Sequence, residues 1–160
     1  MRRTVYRLAQ QRYQESAFSG TGSLRRNGRW HLAGLPIVYA AASPELALLE
    51  VLVHVERPRL ITMELVIIPA HFDEALMEMV SAYTDADGLP SDWRLFPWPP
   101  VTQLIGQRWF EAGRSVVLEV PSAVVPSSKN YLINPKHPRF AEVTLGTPEP
   151  FYVDPRLGTG

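Results

Sequence analysis

The sequence predicts a mixed α+β fold in a single domain, because β-type and helical stretches are dispersed along the chain rather than segregated or strictly alternating. Three observations carry this reading. Apolar, β-branched runs occur at Val5 to Leu8, Ile37 to Ala41, Leu60 to Ile68 and Ser115 to Val120. Helical signals lie between them, with Ser43-Pro44-Glu45 opening one helix and Gly113 closing another. No Gly-x-Gly-x-x-Gly follows a strand and no Walker loop is present, which leaves Rossmann and P-loop architectures unsupported.

Each element has a local cause. Gly34-Leu35-Pro36 makes a turn into the strand at Ile37 to Ala41. Ser43 is a good N-cap, Pro44 suits the first helical position, and Glu45 complements the positive end of the helix. That helix is expected to run to about His54 or Glu56 and to stop before Pro58. Leu60 to Ile68 reads as a strand ending at Pro69, followed by a polar, amphipathic stretch over Asp73 to Val80. Gly88 to Pro100 is rich in Pro and Trp and reads as a loop whose aromatics call for burial. Thr102 to Glu111 is a helix, Ser115 to Val120 a strand ending at Pro121, and Asn130 to Pro135 and Ala141 to Thr144 are weaker strand or turn pieces. No repeat or low-complexity tract divides the chain, so residues 1–160 form one expected domain.

Composition bounds the function. A chain of 160 residues suits one domain that buries about two-thirds of its unfolded surface. Sixteen basic and sixteen acidic residues cancel, so no global field draws the protein to nucleic acid or anionic membrane. Cysteine is absent, which removes disulfides and thiol nucleophiles and fits a reducing compartment. The first 13 residues have no signal-peptide core, and the apolar run Leu46 to Val55 is too short to span a bilayer. The expected location is the cytoplasm.

Within one helix, Glu50 stands among apolar neighbours, with His54 four residues on and therefore on the same face. A carboxylate there is expensive to bury and needs a partner or a task. It is either half of a buried Glu–His or Glu–Arg pair or a carboxylate facing a cleft. Arg29 follows Gly28, which allows close backbone approach to a ligand; its guanidinium can grip phosphate or carboxylate, or it can pack on Trp30. Arg25 and Arg26 compete with it for any anion. Tyr39 is either a core-facing strand residue or a ring that stacks on a ligand. Ser122 follows a strand and a proline, where loops often present site residues, but lacks the glycines of a nucleophile elbow. Asn134 and His137 precede prolines as turn formers, and the four histidines show no metal-ligand spacing.

In order along the chain, these segments resemble the RES-domain family, named for its Arg, Glu and Ser and known chiefly as toxins of RES–Xre toxin–antitoxin pairs. The resemblance rests on Tyr6-Arg7-Leu8, Gly28-Arg29-Trp30, Gly34-x-Pro36-Ile37-Val38-Tyr39, Ala47-Leu48-Leu49-Glu50 and Val120-Pro121-Ser122-Ala123. It continues through Asn130-Tyr131-Leu132-Ile133-Asn134-Pro135-x-His137-Pro138 and Asp154-x-Arg156-Leu157. His31 stands where the family pattern suggests a residue such as Asn.

The resemblance implies a fold like that of ADP-ribosyltransferases and a toxin that depletes NAD+ by cleaving its nicotinamide–ribose bond, as a glycohydrolase or phosphorylase. The alternatives are ADP-ribosyl transfer to a host protein and a non-catalytic module that binds an antitoxin. Arg29, Tyr39, Glu50 and Ser122 then form the active-site set. Glu50 stabilises an oxocarbenium-like ribose, and Arg29 holds the pyrophosphate. Tyr39 stacks on nicotinamide or its ribose, and Ser122 hydrogen-bonds one of them. No cofactor or metal is implied; NAD+ is substrate, with inorganic phosphate as an optional co-substrate. The implied partner is an Xre-type helix-turn-helix antitoxin, which carries any DNA binding and any oligomerisation.

Overall fold

A computed structural model describes residues 1–158. Its centre is an eight-stranded mixed sheet. The strands are β1 (Arg2–Gln10), β2 (Val38–Ala41), β3 (Leu65–Asp73), β4 (Met77–Met79), β5 (Val117–Pro121), β6 (Lys129–Ile133), β7 (Thr144–Leu145) and β8 (Glu149–Phe151). The helices are α1 (Pro44–Leu52), α2 (Arg57–Thr62) and α3 (Pro100–Ala112). Strand order is β4-β5-β6-β2-β1-β3-β7, with β8 also on β3. Among the described residues only the β4–β5 pair is parallel. The α+β expectation is met.

Alternation along the strands divides the core between two faces. Val38, Ala40, Val117, Tyr131 and Ile133 join Val5, Ile68 and Phe72 in one cluster. Their strand neighbours Leu118, Val120 and Leu132 meet Trp30, Ile37, Ile105 and Trp109 on the other side, where α3 lies. A third cluster seats α1, through Leu46 and Ala47, against Ala41 and Ile67.

The caps form as the sequence suggests: the Ser43 side chain accepts from Leu46 N at 3.2 Å. Gly113 closes α3 in the left-handed region, at φ 58°, and its N–H donates to Trp109 O at 3.2 Å.

Three expectations change. First, α1 ends at Leu52, and Pro58 lies in the first turn of α2, which takes in Leu60 to Thr62. A short apolar run bounded by proline has no period long enough to separate strand from buried helix. Second, β3 passes through Pro69 to Asp73. Pro69 carries no ladder donor, but it sits between the stretch of β3 paired with β8 (Leu65 to Ile67) and the stretch paired with β7 (Ala70 and His71). Its carbonyl accepts from Gly146 N at 2.7 Å, so its nitrogen also faces that gap. Third, Asp73 to Val80 becomes a 3-10 turn (Glu74–Leu76), β4, and the start of a second such turn (Val80–Tyr83). Among the described residues, no helix is long and apolar enough to cross a membrane.

Candidate active site

A cleft of about 670 Å³ opens between α1, the Asn27-to-Trp30 turn, the segment Arg94 to Trp98 and the turn after β5. Arg29, Tyr39 and Glu50 all line it. A smaller chamber of about 190 Å³ adjoins it, with Tyr39, Glu50, His54 and Asn130 common to both. A third, of about 230 Å³, lies against Tyr39 and His31 beneath the Gly20-to-Ser23 turn. Pockets of a few hundred Å³ are the size that small organic ligands and cofactors occupy.

Glu50 is half-buried on α1, and its Oε1 accepts two hydrogen bonds, from Ser122 Oγ and from Asn130 Nδ2, each at 2.6 Å. Both donors are neutral, so they fix the carboxylate without cancelling its charge. The buried Glu–His or Glu–Arg pair does not form: among the described residues no ion pair or hydrogen bond joins Glu50 to His54 or to Arg29. His54 instead lines the cleft beside Glu50.

Ser122 plays a different part from the one implied. It is fully buried and does not line any of the three chambers; besides donating to Glu50, its Oγ accepts from Val124 N at 3.1 Å and Val125 N at 3.0 Å. Its hydroxyl is thus engaged with Glu50 and with the turn after β5. Asn134 and His137 are turn formers, as expected. Asn134 Oδ1 accepts from Lys136 N at 2.9 Å, while the His137 ring bonds Gly113 O and Arg139 N.

Arg29 lines the same cleft as Glu50. Its Nη1 donates to Trp93 O at 2.6 Å and to Leu95 O at 3.1 Å, and its guanidinium carbon lies 6.0 Å from the Trp93 ring centroid. Partial burial lowers its pKa, against the opposing pull of the Glu50 charge. The sequence placed Gly28 beside Arg29 for close approach to a ligand; in the structure the crowding is internal. A Cβ on Gly28 lies 2.5 Å from His31 Cε1 and 2.9 Å from the Tyr39 hydroxyl.

Tyr39 is held at both ends. Its backbone carbonyl accepts from Arg7 Nη1 at 2.8 Å. Its hydroxyl lies 2.7 Å from His31 Nδ1 and accepts from Trp30 N at 3.2 Å. His31 Nε2 faces Arg26 O at 2.9 Å, which requires a hydrogen on Nε2 and leaves Nδ1 to accept from the Tyr39 O–H. Burial raises the Tyr39 pKa far above its ordinary value, so the phenol stays neutral. Burial likewise lowers the His31 pKa and keeps the ring neutral.

Sequence reasoning passed over Asn130, His31 and Arg7 as site residues. Part of Arg7 reaches solvent, but its Nε is enclosed and has no hydrogen-bond partner. Burial pushes its pKa down to about 10, and among the described residues no carboxylate pairs with it. Arg7 lines both smaller chambers. Its motif Tyr6-Arg7-Leu8 was visible; that β1 runs beside β2, under Tyr39, was not.

The fold and cleft define a class first: a single α+β domain with an oriented glutamate, a cleft arginine and a buried tyrosine. The RES domain model matches residues 4–154. A protein of Photorhabdus laumondii named Toxin Res is 44% identical over 131 residues, covering 82% of this chain and 81% of its own. A Sphingobium protein named Prs ADP-ribosylating toxin is 34% identical over 145 residues, covering 91% and 89%. The toxin–antitoxin complex MbcT–MbcA of M. tuberculosis contains a chain with the same fold, at TM-score 0.76 and 18% identity, over 99% of this chain and 87% of that one. The chain belongs to the RES-domain family, as a RES-domain toxin.

Proposed function

We propose that the protein is the toxin of a toxin–antitoxin pair and acts by cleaving the nicotinamide–ribose bond of NAD+. The observation that carries this reading is Glu50, a carboxylate oriented by Ser122 and Asn130 at the wall common to two chambers. As the bond breaks, its electron pair moves to the nicotinamide nitrogen and the base leaves neutral, so no general acid is needed. Positive charge grows on the ribose, where a fixed carboxylate stabilises it. The acceptor oxygen then bonds the anomeric carbon, and the proton it carries passes to bulk water. Arg29, and Arg7, which has no anionic partner among the described residues, supply positive charge for the pyrophosphate. Tyr39 presents its ring beside Glu50.

The acceptor distinguishes the variants of this reading. Water or inorganic phosphate makes the protein a consumer of free NAD+, which we favour because site and substrate suffice. Transfer to a protein is the second reading, supported by the name of the Sphingobium relative. Control comes from a separate antitoxin of the Xre helix-turn-helix kind, which carries the DNA binding that a neutral toxin does not favour. Both act in the cytoplasm, where NAD+ is available.

Purified protein incubated with NAD+, with and without phosphate, tests the proposal by product. ADP-ribose marks hydrolysis, a phosphorylated ADP-ribose marks phosphorolysis, and a mass increase on an added lysate protein marks transfer. No release of nicotinamide under any of the three conditions refutes the reading.

A further inference from the structure

Resting on that reading, we infer that Phe96 and Trp98 form the subsite for the adenine end of the dinucleotide, and that this pair makes the enzyme prefer a dinucleotide to its mononucleotide half. Phe96 is 75% exposed, yet it lines the large cleft together with Trp98. The rings meet edge to face, with centroids 5.4 Å apart and planes at 89°. Such a pair offers a planar ligand one ring face and one ring edge.

The segment that carries them is anchored. Arg29 holds the carbonyls of Trp93 and Leu95, Arg94 Nε donates to Ala123 O at 3.0 Å, and Trp93 packs on Trp30 with centroids 5.9 Å apart. An exposed phenylalanine on an anchored segment is a preformed surface that a flat apolar partner covers at little ordering cost.

Position assigns the base. Bond cleavage belongs at the wall shared by the two adjoining chambers, which Glu50, Tyr39 and Asn130 line. Phe96 and Trp98 border the large cleft alone, and so do Arg29 and Arg94. With the nicotinamide ribose at the shared wall, the cations and the aromatic pair of the large cleft remain for the pyrophosphate and the adenosine. Stacking of a base on an aromatic side chain contributes about 1–3 kcal/mol, or roughly 5- to 150-fold in affinity.

The test compares the wild type with Phe96→Ala, Trp98→Ala and the conservative Phe96→Tyr, using NAD+ and nicotinamide mononucleotide as substrates. The two alanine variants are expected to raise KM for NAD+ by about 5- to 150-fold, with a much smaller change in kcat, while Phe96→Tyr restores a near wild-type KM. Calorimetry with adenosine monophosphate on a Glu50→Gln background is expected to show binding that both alanine variants weaken. An unchanged KM for NAD+ in both alanine variants overturns the inference, as does an equal loss for both substrates; the pair then serves a protein partner or the nicotinamide end. A wild type that consumes no NAD+ refutes the proposed activity itself, and adenosine monophosphate binding still judges the adenine site on its own.

Discussion

Replacing Glu50 with glutamine tests the assignment of the acid most directly. The amide is nearly isosteric, and its Oε1 can still accept from Ser122 Oγ and Asn130 Nδ2, now 2.6 Å from the carboxylate. Each bond loses its charge assistance, a difference of about 1 kcal/mol per bond, so the native state is expected to lose no more than about 2 kcal/mol. For a domain of this size that is a shift in Tm of under about 8 °C. Catalysis loses far more. A carboxylate about 4 Å from a developing unit charge, at an effective dielectric constant of about 20, contributes about 4 kcal/mol. The expected fall in kcat is therefore on the order of a thousandfold. Nicotinamide release is followed by chromatography, with circular dichroism and thermal melting on the same sample. A folded Glu50→Gln protein that turns over NAD+ at the wild-type rate refutes the oxocarbenium assignment. Loss of the fold instead points to Glu50 as mainly a structural anchor.

Three further outcomes are expected. Ser122→Ala removes the donor to Glu50 and strands the amides of Val124 and Val125, so kcat is expected to fall about 10- to 100-fold while KM moves little, and Tm drops by several degrees. Gly106→Ala places a methyl group 1.6 Å from Trp30 O, which forces α3 off the Arg29 turn; a loss of about 1–3 kcal/mol is expected in denaturant melts, together with weaker NAD+ binding. His31 has a folded pKa lowered below the ordinary histidine value of about 6.5 by burial, so the unfolded chain binds more protons between the two values and stability falls as pH drops below about 6.5. In the folded protein Nδ1 takes up a proton only at a lower pH than in the unfolded chain, so activity is expected to outlast the onset of the stability loss and to decline further down in pH, where Nδ1 no longer accepts the Tyr39 hydroxyl; His31→Gln melts recorded between pH 7.5 and 5.5 are expected to lack the stability slope.

The legible parts of the fold were those with local causes. Ser43, Pro44 and Gly113 mark helix ends through geometry that their own side chains or backbone impose, and the structure places the ends of α1 and α3 at those residues. The first helix does stop before Pro58, as expected, whereas Pro69 misled as a strand end because it is tolerated by a condition outside its neighbourhood. Pro58 falls in the first turn of a second helix, and Pro69 falls where β3 changes partner. The site divides in the same way. Glu50 stood out because a carboxylate in an apolar helix is costly wherever the helix lies. Ser122 was visible as a candidate, but that it and Asn130 would be the donors to Glu50 was not, since they are 72 and 80 residues away and meet it only through the pairing of β5, β6 and β2. The same non-local pairing hid the placement of Arg7 under Tyr39.

The cleft keeps its opposite charges apart, and this separation supports the proposed substrate best. Arg29 and Glu50 line one cavity, yet among the ion pairs of the described residues none joins them. Each is fixed by neutral groups: Glu50 by a hydroxyl and an amide, Arg29 by two backbone carbonyls. A direct pair neutralises both and offers a ligand no net field, whereas held apart they present a negative pole and a positive pole within one cleft. NAD+ has the complementary pattern, a cationic nicotinamide ring at one end and an anionic pyrophosphate beyond it. Neutral donors that hold a charge in place also leave it free to act when the charge on the substrate moves. As the glycosidic bond breaks, positive charge passes from the nicotinamide ring to the ribose, and a carboxylate already oriented there needs no rearrangement to meet it.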